Sequence, residues 1–272
     1  MNNLLLRTLS GVILVLIILG AILAVEYTML ALVLVIFILG FNEFRTILQL
    51  RINAFFYLSL LGGAGTLVMA YLLYSGNAGI ISAAIFGAGL LTMLVLCLLM
   101  FKDTSVKQAG QILFGFFWIA GCLLFFMGLG WLDESRSYKP ELLIILFVFI
   151  WTNDVAAYLI GSALGRHPLA ASISPSKTWE GFIGGMLFNG LAGYLVYRIT
   201  GEYSPALWIV SAMLVSLGGT AGDLFESKLK REAGVKDSGR IIPGHGGILD
   251  RFDSLLFSAP IFYILFLLWH QV

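Results

Sequence analysis

Long apolar blocks separated by short polar stretches run from one end of the chain to the other. A helix needs about 20 mostly apolar residues to cross bilayer hydrocarbon. On that basis nine blocks predict spans: Leu5–Val25, Tyr27–Phe41, Phe55–Leu73, Ala78–Met100, Ile112–Leu132, Leu142–Leu164, Glu180–Ile199, Leu207–Phe225 and Phe252–Trp269. The second is short, and the turn at Val25-Glu26-Tyr27 is tight. The first block lacks a small-x-small cleavage site and runs almost directly into the next, so it reads as a retained span rather than a signal peptide. The pattern predicts an all-α polytopic integral membrane protein of about nine transmembrane helices.

Composition agrees. The 272 residues are 60% apolar and 11% charged, against about 45–50% and about 25% in an ordinary soluble domain. One soluble core cannot absorb that surplus. A net charge of +1 supplies no global basic field to suggest nucleic acid, and no nucleic-acid partner is expected. Cys97 and Cys122 both lie inside apolar blocks, where lone thiols act as small apolar fillers.

Charge sets the expected orientation. With nine spans, the amino terminus and the loops near 42–54, 101–111, 165–179 and 226–251 share one side. That side carries 13 of the 16 basic residues, and the other has only Arg136, Lys139 and Arg198. The positive-inside rule makes the first group, and the amino terminus, cytoplasmic. No loop is long enough to fold alone. Residues 1–140 read as membrane scaffold of about five spans. Residues 141–272 read as a catalytic portion of about four spans with cytoplasmic loops 165–179 and 226–251.

Three polar constellations fall in that second portion. Asn153-Asp154 lies halfway through the sixth block, where a carboxylate costs about 2.5 kcal/mol or more to insert. Helical spacing puts Asp154, Tyr158 and Gly161 on one face. That face is either a seam of small residues tied to a neighbouring helix or a cavity wall beside a charged ligand, and spacing leaves both open. The run Ser174-Pro175-Ser176-Lys177-Thr178-Trp179-Glu180-Gly181 precedes a helix start. Thr178 suits a cap and Pro175 a stiff approach; a helix amino terminus beside Ser, Thr and Lys equally suits an anion.

The third constellation runs from Gly222 to Asp253. Ser216, Thr220, Asp223 and Ser227 share one helical face, and Asp250 and Asp253 share another at the start of the ninth span. Three carboxylates are thus expected to converge from two helices, joined by a basic loop with a Gly-His-Gly-Gly stretch. Capping by Asp250 and lipid anchoring by Lys228, Lys230 and Arg231 account for single parts. The whole set suits a hard cation such as Mg²⁺ completed by substrate phosphates, with basic side chains and glycine-flanked amides for the phosphate oxygens.

From Ser227 through Asp253 the chain resembles the phosphatidate cytidylyltransferases (CDP-diacylglycerol synthases). It carries without a break the pattern Ser-x-apolar-Lys-Arg-x4-Lys-Asp-x-Gly-x2-apolar-Pro-x-His-Gly-Gly-x2-Asp-Arg-x-Asp. Ser174–Gly181 and Asn153-Asp154 resemble further family segments, and together the motifs cover roughly the last 40% of the chain. The resemblance implies conversion of CTP and phosphatidic acid to CDP-diacylglycerol and pyrophosphate. It also implies a divalent metal at Asp223 and Asp250, a monovalent cation such as K⁺ as a second ion, and a homodimer; the charge asymmetry, with CTP in the cytosol and the lipid in the bilayer, places the site at the cytoplasmic face of the cell (inner) membrane.

A lipid phosphate monoester needs no deprotonating base, which agrees with the lack of a nucleophile–base pair. The expected roles follow. Asp223 and Asp250 hold Mg²⁺, with Asp253 as a third or outer ligand. Lys230, Arg231, Lys236 and Arg240 hold triphosphate or lipid phosphate, and Arg251 either. Ser174, Ser176, Lys177 and Thr178 close the opposite wall, and Asn153, Asp154, Asp237, Gly246 and Gly247 line the substrate. His245 either assists departing pyrophosphate or orients the glycine-rich turn. The rivals are another CTP-using lipid enzyme, such as a polyprenol kinase that would release CDP, and a transporter, against which the crowding of polar residues at one end argues.

Overall fold

A computed structural model of the chain describes residues 3–100, 104–132, 137–244 and 246–270, with side chains in the first helix from residue 8. The helices are α1 (Asn3–Ala24), α2 (Glu26–Ile47), α3 (Ala54–Tyr74), α4 (Ile80–Met100), α5 (Val106–Gly128, extended by a 3₁₀ turn Leu129–Trp131), α6 (Glu141–Leu164), α7 (Trp179–Thr200), α8 (Pro205–Glu232) and α9 (Leu249–His270). Among the described residues, eight of these are long and apolar enough to cross a membrane; α1 is apolar over Thr8–Ala24. A polytopic helical membrane protein is the fold class observed.

Starts follow side-chain chemistry. Asn53, Ser105 and Ser204 accept from the amides of Phe56, Gln108 and Leu207, capping α3, α5 and α8, which satisfies amides that have no intrahelical partner. Gly201, at φ +66°, closes α7 in the left-handed region that an L side chain resists.

Three boundaries differ from expectation. The short second span is a full 22-residue helix running through Asn42 and Glu43 to Ile47. Helix α8 continues to Glu232, so Lys228, Lys230 and Arg231 lie on a helix rather than in a loop. Its 28 residues reach about 42 Å, beyond the about 30 Å of hydrocarbon. The 165–179 loop holds a small antiparallel hairpin, β1 (Pro168–Ala170) and β2 (Ser174–Thr178), with Pro168 opposite Thr178 and Ala170 opposite Ser174.

The chain divides into two compact units. The first comprises Met1–Pro140 together with Asp237–Asp250, and the second Glu141–Lys236 with Arg251–Val272. In the first, Phe37, Phe41 and Phe56 stack in series, and Phe44 sets its ring edge-on to Trp118. Gly63 and Gly115 admit the Phe37 and Phe44 rings where any Cβ would collide. In the second, Phe149, Trp208, Phe262 and Phe266 form an aromatic core. There α6 and α7 meet along small residues: a Cβ on Gly181 would lie 2.7 Å from the Ala157 carbonyl, and one on Gly185 3.0 Å from the Ala157 Cβ. Close approach of backbones through small residues is how membrane helices gain packing energy without a hydrophobic drive.

Candidate active site

A cavity of about 500 Å³ opens in the second unit, lined by the polar face of α6, the hairpin, the start of α7, α8 and one residue of α9. The α6 face both packs and lines the cavity. Ala157 and Gly161 pack against α7, while Asp154 and Tyr158 stand exposed on the cavity side, Tyr158 at 73%. Asn153 is buried beside them with its Oδ1 near Gly185.

The hairpin brings Lys177 to the opposite wall, where its Nζ pairs with Asp223 Oδ2 on α8. Thr178 Oγ1 accepts from Gly181 N at 3.2 Å and caps α7. A Cβ on Gly161 would sit 3.1 Å from that same oxygen, so glycine there lets the capped turn lie directly on α6. Ser176 lines the cavity and Ser174 starts the strand opposite Ala170. Glu180 ties the hairpin's entry: its carboxylate accepts from the amides of Arg166 and His167 at 3.1 and 3.2 Å and contacts His167 Nδ1 at 2.5 Å.

Helices α8 and α9 meet through glycine and serine. A Cβ on Gly222 would run into the Asp253 carbonyl, Ser254 Oγ donates to Gly219 O at 3.3 Å, and Ser258 Oγ donates to Val215 O at 3.0 Å. This crossing brings Asp253, only 9% exposed, into electrostatic range of Asp223, Glu226 and Lys177. Asp223 also accepts from Ser227 Oγ at 3.2 Å, and Lys230 pairs with the buried Glu226 at 2.6 Å. Arg231 Nε reaches the Ile173 carbonyl at 3.4 Å, linking α8 to the hairpin. Arg251 acts on Asp154 through charge, together with Asp223 and Lys177. The second unit therefore gathers Asn153, Asp154, Ser176, Lys177, Thr178, Asp223, Asp253 and Arg251 around or beside one cavity. Lys236, at the end of this unit, is exposed.

The remaining expected residues belong to the first unit. Asp237 and Arg240 are exposed there, and Gly246 and Gly247 form the turn before α9. Asp250 Oδ2 accepts from Ser238 N at 2.9 Å, Ser238 Oγ at 2.9 Å and Gly247 N at 2.8 Å. Gly246, at φ +83°, has no space for a Cβ beside that oxygen. His245 lies outside the described residues.

Sequence reasoning missed Glu43. It is 4% exposed on α2, and accepts from Ile248 N and Leu249 N at 2.9 Å each and from Ser238 Oγ at 3.0 Å. The available signal is its setting: Phe41 and Phe44 on either side are both core residues, and a carboxylate among core aromatics requires donors.

Among the described residues no three acidic, histidine or cysteine side chains form a metal cage. The donor set nevertheless fits a hard cation. Asp223 and Asp253 offer oxygen alone, and Mg²⁺ takes one or two carboxylates and completes its shell with water and substrate phosphates.

The pattern of the cytidylyltransferase family matches residues 5–269. Proteins named phosphatidate cytidylyltransferase from Staphylococcus saprophyticus and Staphylococcus aureus are 44% and 45% identical over 158 residues. That alignment takes in 56% of this chain, which spans 60% of the length of those relatives. One from Staphylococcus epidermidis is 36% identical over 222 residues, 79% of this chain and 83% of that protein. With the family's pattern running the length of the helical array and a relative aligned over most of both chains, this chain belongs to the cytidylyltransferase family.

Proposed function

We propose that the chain transfers the cytidylyl group of CTP to phosphatidic acid, forming CDP-diacylglycerol and pyrophosphate. The observation that carries this reading is the Lys177–Asp223 pair, set with Asp154 around a cavity built on membrane-length helices, with Asp253 in electrostatic range. The names of the staphylococcal relatives support the same substrates.

A phosphate monoester has its second pKa near ~6 and is largely dianionic at neutral pH. One of its oxygens attacks the α-phosphorus of CTP; the bond from that phosphorus to the α,β-bridging oxygen breaks, and pyrophosphate leaves. No proton has to be removed. The obstacle is repulsion between the lipid dianion and a triphosphate of about four negative charges, so positioning and charge neutralisation supply the rate. Lys177 holds phosphate oxygens at the cavity wall, with Ser176 beside it and Thr178 fixing the turn. Lys230, Arg231, Lys236 and Arg251, all of the second unit, supply further positive charge for phosphate oxygens. In the second unit Asp223 and Asp253 are the residues that would hold Mg²⁺, and the family motif gives Asp250 a metal role of its own. The ion would neutralise phosphate oxygens as charge moves to the leaving group. A monovalent cation as second ion, a homodimeric working form and a cytoplasm-facing site belong to the same reading; the last is supported by the lopsided distribution of basic residues.

The test incubates purified protein with Mg²⁺ and CTP labelled at the α-phosphate, offering phosphatidic acid in one reaction and a polyprenol in another. Label in the lipid with release of pyrophosphate is the expected result. Label retained in CDP, with phosphate passed to a lipid alcohol, would establish the kinase reading instead.

A further inference from the structure

We propose that Glu43, in the part of the chain that otherwise reads as membrane scaffold, is a positioning residue that sets the glycine-rich turn and Asp250. The inference rests on the reading that Asp250 is a metal ligand. Glu43 spends both carboxylate oxygens on this segment: Oε1 accepts from Ile248 N, and Oε2 from Leu249 N and Ser238 Oγ. These amides belong to the amino-terminal turn of α9, where a negative group offsets both the unpaired N–H groups and the helix dipole. Ser238 links the two acids, for its Oγ lies 3.0 Å from Glu43 Oε2 and 2.9 Å from Asp250 Oδ2. A hydroxyl has one hydrogen to donate and so serves one acid at a time; the Ser238 amide holds Asp250 at 2.9 Å in either case.

The glycines explain themselves on this basis. A Cβ on Gly239 or Gly247 would collide with the Glu43 carboxylate, and one on Gly247 also with Ser238 Oγ. Two glycines of the loop are therefore space for one buried acid, and the amides of residues 247–249 are already held by Asp250 and Glu43. Glu43→Gln is the sharp perturbation. It keeps the shape but replaces one acceptor oxygen with a donor that faces an N–H, leaving a buried amide unpaired.

The experiment measures Mn²⁺ affinity by electron paramagnetic resonance on purified full-length protein, for wild type, Glu43→Gln, Asp250→Asn and the double variant. Amide exchange at residues 248 and 249 is followed in parallel. Expected are a loss of Mn²⁺ affinity of about tenfold in Glu43→Gln, faster exchange of both amides, and a double variant no weaker than Asp250→Asn alone, since residues acting through one another do not add. Asp250→Asn weakening Mn²⁺ while Glu43→Gln does not, or full additivity of the two, overturns the role of Glu43. Unchanged Mn²⁺ affinity in Asp250→Asn overturns the metal assignment itself, a distinct failure. Ser238→Ala removes the hydroxyl link but leaves both Glu43–amide bonds. It should weaken Mn²⁺ by a smaller factor, and it keeps the question answerable if Glu43→Gln does not accumulate in the membrane.

Discussion

The crossing of α8 and α9 at Gly222 offers the sharpest test of the site. An added methyl in Gly222→Ala would run into the Asp253 carbonyl oxygen and stand 3.0 Å from the Asp253 carbonyl carbon and 3.1 Å from Phe257 Cδ2. Comfortable carbon contacts lie at about 3.5–4.0 Å, and the two nearest obstructing atoms are backbone, so relief requires α9 to move by about 1 Å. The residue displaced is Asp253, and the neighbour left behind is Asp223. A misplacement of about 1 Å in a catalytic arrangement costs about 10²-fold, equivalent to about 2.7 kcal/mol of transition-state stabilisation. Overpacking should separately cost about 1–3 kcal/mol of stability. The assay is kcat/KM for lipid product from CTP in purified protein, with thermal stability measured alongside. Gly190→Ala is the matched control, because its methyl would meet side chains rather than backbone: the flexible Met213 at 3.3 Å from Cγ and 3.5 Å from Sδ, and Ile209 Cγ2 at an ordinary 3.7 Å. If Gly222→Ala retains kcat/KM within threefold of Gly190→Ala, the spacing of Asp223 and Asp253 does not govern the reaction.

Three further outcomes follow from the same geometry. Lys177→Ala removes the cation paired with Asp223 and should raise the KM for CTP about tenfold, the scale of one charge-assisted hydrogen bond; steady-state kinetics against CTP shows it. Thr178→Ala deletes the α7 cap and should cost about 1 kcal/mol, seen as a lower Tm, with a rise in the KM for CTP because Lys177 precedes the loosened turn. Treatment with a divalent-metal chelator should abolish product formation, and added Mg²⁺ should restore it; activity persisting without divalent ions would remove the metal from the mechanism.

Much of this architecture is visible in the chain because bilayer thickness and helical rise impose a length on every span. The α6 face is a case in point: a 3.6-residue period already groups Asp154, Tyr158 and Gly161, and all three line the cavity. What periodicity omits is the partner of each polar atom. Helical spacing puts Asp250 and Asp253 on one face, yet it does not show that Asp250 Oδ2 accepts from Ser238 and Gly247 or that Asp253 answers electrostatically to Asp223 and Glu226. The hairpin escaped because Ser, Pro and Lys have weak strand preference; two short strands form there with Thr178 leading straight into α7. Glu43 escaped because counting apolar residues ends a span at the first polar pair, whereas α2 continues through Asn42 and Glu43, whose carboxylate finds its donors in amides supplied from far along the chain.

That separation has a consequence for biosynthesis. The amides that satisfy Glu43 lie 205 and 206 residues downstream. At a translation rate of about 5–20 residues per second, roughly 10–40 s pass between the emergence of α2 and that of the segment able to complete it. Throughout that interval the nascent first unit carries an acid among its phenylalanines with its eventual donors still unmade. Its final tertiary hydrogen bonds must then close after insertion, as a late step in maturation, and ribosome-stalled intermediates shorter than about 250 residues should lack them.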